Sequence, residues 1–78
     1  MINQNAHEMN AKNISKDSER VLDTIKRYND NWEPCFVEDV AGDTDLTVNQ
    51  VKGHIADLKN KGYVLRDEDS VELYALEP

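Results

Sequence analysis

The strongest constraint in this chain is the stretch from Thr47 to Gly62, TVNQVKGHIADLKNKG, which carries both ends of one helix and its buried stripe. The Thr47 hydroxyl can accept from the Gln50 amide while the Gln50 side chain reaches back, a reciprocal cap that satisfies two orphan donors. Val48, Val51, Ile55 and Leu58 follow at spacings of three and four and read as core. Gly62 occupies the position that C-terminal capping favours, with Lys59 and Lys61 in the last turn, where positive charge suits the helix dipole. Beyond it, YVLR and VELYAL alternate as strands do around the tip DEDS, so Tyr63 to Arg66 and Val71 to Leu76 form a hairpin.

Upstream, Ser15 opens a helical pattern in which Val21, Leu22, Ile25 and Tyr28 share a face, with Asp17 and Glu19 in the first turn. Asn29, Asp30 and Asn31 end this helix, and Glu33-Pro34 resists helical backbone. Trp32 falls in the loop and, with Phe36, reads as closing the core rather than forming a ligand site. A second helix fits Cys35 to Ala41, with Phe36 or Val37 and Val40 inward and Gly42 as a natural stop. Asp43, Thr44 and Asp45 then make the turn into the third helix.

A chain of 78 residues holds one small domain, in which each buried apolar residue counts. Its 38% hydrophobic and 32% charged composition permits a compact core and argues against wholesale disorder. Residues 1–13, rich in Asn, are expected to be a flexible N-terminal arm, leaving 14–78 as the folded domain. Cys35 has no internal disulfide partner, and Cys35, His7 and His54 are too scattered for a zinc site. No metal, cofactor or oxidising compartment is implied. Neither a membrane-spanning run nor a secretory signal is present, so the expectation is a cytoplasmic protein.

Three helices followed by a hairpin, with a short turn before the third helix, resemble the winged helix-turn-helix superfamily. The chain is similar to the DNA-binding domains of MarR/ArsR-type transcriptional regulators. The resemblance rests on Val37, Val40 and Ala41, on Leu46-Thr47 at the turn, on Val51 and Ile55, and on LKNKGYV leading into the wing. It covers residues 18–76 and implies an α+β fold in which the third helix enters the major groove of double-stranded DNA. It also implies a possible homodimer, built through the first helix, the arm or the last strand. Departures from the pattern are Gly53 and Asp57, where the relatives often carry a basic residue, and the acidic wing tip Asp67-Glu68-Asp69.

The formal net charge is -7. Residues 14–46 hold four Lys or Arg against nine Asp or Glu, residues 47–62 three against one, and residues 63–78 one against five. Only the third helix is positive, and DNA affinity comes mainly from cations that release counterions from phosphate. Asn49, Gln50 and Lys52, with His54 on the same face, are the candidate reading residues, because Asn and Gln pair with adenine and Lys reaches guanine; Gly53 joins the DNA-binding set as a point of close backbone approach. Thr47, Lys59 and Arg66 are the candidate backbone contacts. Lys16, Arg20, Lys26 or Arg27 would enlarge the footprint if the first helix presented them to the same side.

Each of these residues also has a plainer reading. Asn49, Gln50 and Lys52 suit an ordinary solvated face; His54 suits a half-buried hydrogen-bonded position; Cys35 suits a small packing residue. Gly53 suits close approach by a helix or a DNA backbone, or simple tolerance. No catalytic triad, phosphate loop or metal spacing is present, so the chain does not read as an enzyme. The alternative to a DNA reader is an acidic protein-binding winged helix, such as a DNA mimic, using Asp43, Asp45, Asp67, Glu68 and Asp69 against a partner with a basic surface.

Overall fold

A computed structural model describes residues 14–76. Helix α1 spans Lys16–Asp30, α2 Val37–Thr44 and α3 Val48–Asn60, followed by strands β1, Val64–Arg66, and β2, Leu73–Ala75. The strands pair antiparallel in the register Val64↔Ala75, Leu65↔Tyr74 and Arg66↔Leu73. This is the expected α+β order, and it is compatible with a small winged-helix-like fold. The expected arm, residues 1–13, lies outside the described residues.

Helix α1 begins where Ser15, in extended backbone, accepts the Ser18 amide at 3.1 Å, with Asp17 and Glu19 against the positive helix end. It packs against α2, α3 and β2, and its buried face is Ser18, Val21, Leu22, Thr24 and Ile25. The polar members of that face are paired: Thr24 Oγ1 donates to Arg20 O (2.9 Å), and Ser18 Oγ meets His54 Nδ1 (2.9 Å). Buried hydroxyls without such partners would each destabilise by about 1–3 kcal/mol. Cys35, Val37 and Val40 around α2, Val51, Ile55 and Leu58 of α3, and Val64 and Leu73 of the hairpin complete the core.

The wing is fastened to α1 by Asn29. Its Nδ2 donates to Leu73 O (3.2 Å) and its Oδ1 accepts from Ala75 N–H (2.8 Å), so one amide side chain stands in for a neighbouring strand. Leu73 N–H donates to Cys35 O (2.8 Å), bringing the α1–α2 loop alongside the same edge of β2. That edge is thereby covered rather than left open for pairing with another chain.

Several expectations need correction. The second helix starts at Val37 and continues through Gly42 to Thr44, so Gly42 is not its stop. Asp45 takes the left-handed conformation instead (φ 64°), and the Thr44 hydroxyl donates back to Val40 O (2.7 Å). Val48 is exposed rather than core, because it sits at the first position of α3, ahead of the turn where the helix meets α1. The strands are shorter than the alternation suggests. Residues 67–71 close as one turn, with Val71 N–H on Asp67 O (2.8 Å), and this puts Val71 at φ 58° rather than in a strand.

Trp32 departs furthest from its expected place. It is 94% exposed and adopts φ 60° at the end of α1. Trp32 N–H donates to Asn29 O and Glu33 N–H to Tyr28 O, both at 3.0 Å. The same double bond pattern closes α3, where Gly62 (φ 84°) donates to Lys59 O (3.0 Å) and Tyr63 N–H to Leu58 O (2.9 Å). Glycine meets the left-handed requirement without strain at Gly62, whereas a side chain bearing Cβ at position 32 costs about 1–2 kcal/mol.

Candidate nucleic-acid interface

Helix α3 is set by its cap. The Gln50 amide donates to Thr47 Oγ1 (3.1 Å) and the Thr47 amide to Gln50 Oε1 (3.0 Å). Val51, Ile55 and Leu58 then turn inward, so helical spacing turns Asn49, Lys52, Gly53, Ala56, Lys59 and Asn60 to solvent. The centre of that strip is Gly53 and Ala56. A Cβ added at Gly53 would meet nothing within 4 Å, so no neighbouring helix of the domain accounts for this glycine.

Beside the strip, α3 and β1 enclose a recess of about 200 Å³ lined by Lys52, Ile55, Ala56, Lys59, Asn60 and Arg66. Three of the residues singled out in the sequence, Lys52, Lys59 and Arg66, therefore surround one depression although they come from two elements. Among the described residues no acid lines it. Asp57, the acid within α3, is held by Lys61 at 3.2 Å. Arg66 Nε points to Val71 O at 3.5 Å, at the limit of a hydrogen bond, which leaves the guanidinium at the base of the wing.

The remaining candidates fall into separate roles. Thr47 and Gln50 cap the helix, so the Gln50 carbonyl is engaged before any ligand arrives. His54 is half-buried against Ser18 and ties α3 to α1. Arg20 and Arg27 do not extend the positive patch: Arg20 bonds Asp17 (3.2 Å) and the Thr44 carbonyl, and Arg27 bonds Asp43 (3.1 Å). Both thus face α2. Cys35 is buried, and burial pushes its thiol up to about 12, with Asp39 adding to the effect, as for an inert packing residue.

The five acids of the alternative reading are divided in the same way. Asp43 carries the Arg27 pair and receives the Tyr28 hydroxyl, which is held above its ordinary range for that reason. Asp45 ends α2. Asp67 Oδ1 accepts the amides of Asp69 (2.7 Å) and Ser70 (3.0 Å), which hold its carboxyl below the ordinary carboxylate value. Glu68 and Asp69 stand exposed at the wing tip. Sequence reasoning missed Asn29, the clamp on β2, and misjudged Trp32; neither residue has a local signal, because both are defined by partners or conformations set by the fold.

Comparison with protein-family models, curated proteins and solved structures finds no match for the chain.

Proposed function

We propose that this protein is a regulator that binds duplex DNA in the manner of a winged helix, with α3 in the major groove. The observation that carries the reading is the recess between α3 and β1, where Lys52, Lys59 and Arg66 converge without an acid among the lining residues. Local charge at the contact face, rather than net charge, determines whether a phosphate backbone is attracted. Asn49 and Lys52 lie towards the base edges, and Thr47, Lys59 and Arg66 lie towards phosphate. Gly53 and Ala56, small residues in mid-strip, let the helix backbone approach the groove floor.

The acidic tip is reconciled with this pose by geometry within the wing. Arg66 is at its base, and Glu68 and Asp69 are beyond it, so the contact uses the base while the tip projects away from the phosphates. Among the described residues no helix is long and apolar enough to cross a membrane.

The test is fluorescence anisotropy against a pool of random duplexes at about 50 mM salt, where phosphate contacts are strong. Saturable binding is expected, weakened by Lys52→Ala and by Arg66→Ala and unaffected by Arg27→Ala. Retention of full affinity by both Lys52→Ala and Arg66→Ala would remove this pose.

A further inference from the structure

On a different part of the surface from the α3 strip, the α1–α2 loop and β2 enclose a recess of about 530 Å³. It is lined by Asn29 at the end of α1, by Trp32, Glu33 and Pro34 of the α1–α2 loop, and by Glu72, Tyr74 and Ala75 at β2. None of these residues lines the depression beside Lys52. We propose that this recess is a docking site for an arginine side chain of a protein partner, stacked on Trp32 and held by Glu33 and Glu72.

The fold does not account for the indole. The turn at Trp32 is made by backbone hydrogen bonds alone, to Asn29 O and Tyr28 O, and a glycine or asparagine would hold it with less strain. A left-handed, 94% exposed tryptophan is therefore a side chain displayed by the turn rather than one that builds it. Tryptophan, tyrosine and arginine are also the residues that dominate binding energy where proteins meet.

Charge complementarity selects the occupant. Glu72 directly precedes β2 and Tyr74 lies within it two positions on, and the Tyr74 hydroxyl donates to the Glu72 carboxylate. Glu33 lines the same recess, and among the described residues no lysine or arginine lines it. Two carboxylates beside two aromatic rings suit a planar cation, which can stack on an indole and bond a carboxylate through two parallel N–H groups. A phosphate or a nucleic-acid backbone would be repelled.

Trp32 is the sole tryptophan, so its emission reports on the site directly. The probe is the capped tripeptide acetyl-Gly-Arg-Gly-amide, with acetyl-Gly-citrulline-Gly-amide as an uncharged isostere. The arginine peptide is expected to give a saturable emission change, and the citrulline peptide to bind about tenfold more weakly or less. Glu33→Gln with Glu72→Gln should weaken binding about tenfold, whereas Glu68→Gln with Asp69→Asn, which removes the same charge at the wing tip, should leave it within about twofold.

Equal response to both peptides, or equal loss in the two double variants, would overturn the proposal in favour of unspecific attraction. An emission shift produced by protein concentration alone, with a dimer in sedimentation, would overturn it in favour of a second copy of the chain. A shift driven by duplex DNA and not by the peptide would overturn it in favour of nucleic acid. Trp32→Asn, followed by NMR amide shifts, should lose the peptide while keeping or raising the melting temperature; retained binding would remove the indole from the site.

Discussion

Two residues show how backbone conformation and surroundings give opposite values to an unusual side chain. Trp32 occupies a left-handed position that its Cβ disfavours, and its indole packs on little else in the domain. Replacing it with Asn, which tolerates that conformation, is expected to stabilise the protein by about 1 kcal/mol. A thermal melt checks this, and a lowered melting temperature would mean that the indole contributes packing the exposure does not suggest. Gly53 is the converse case, a flexible residue inside a helix with open space around it. Gly53→Ala should also stabilise, by up to about 1 kcal/mol, because alanine loses less backbone freedom on folding. If the α3 backbone lies close to DNA, the same substitution should weaken binding, so folding and affinity would move in opposite directions.

At the scale of elements, the cap of α3 and the turn of the wing carry separable predictions. Thr47→Ala removes one acceptor from the reciprocal cap and is expected to cost about 1 kcal/mol, read as a lower urea midpoint at unchanged slope. In the wing, the amides of Asp69 and Ser70 hold the Asp67 carboxyl below 3.8, its ordinary value. A carboxyl depressed in the folded state contributes stability above that ordinary value and loses it as pH falls through the folded one. The Asp69 and Ser70 amide shifts should therefore titrate with a midpoint below 3.8, and a midpoint at or above it would contradict the turn.

These elements were legible from sequence to different degrees, for a physical reason. Helix α3 is capped by Thr47 and Gln50 and ended by Gly62, so its start and stop are local chemistry and match the expectation. The end of α2 is not local, since Arg20 reaching the Thr44 carbonyl and Thr44 bonding Val40 carry the helix past Gly42. The Asn29 clamp joins residues more than forty positions apart and leaves no spacing to read. Likewise, Lys52, Lys59 and Arg66 each stood out as cations, but their convergence on one recess depends on how β1 packs against α3.

At the scale of the whole molecule, the question is how a chain of net charge -7 could approach DNA. The arrangement separates the charges: Arg20 and Arg27 are absorbed on the α2 side, while Lys52, Lys59 and Arg66 gather beside the exposed strip of α3. The two cations placed towards phosphate, Lys59 and Arg66, predict a dependence of log affinity on log salt with slope of about -2, since each neutralised phosphate contributes about -0.9. The most direct measurement is that slope, taken by anisotropy on one duplex pool for the native chain and for the variant with Lys52, Lys59 and Arg66 all changed to Ala. The account predicts saturable binding with a slope near -2 that collapses towards zero in the triple variant. No saturable binding, or a slope that the triple substitution leaves unchanged, would contradict it.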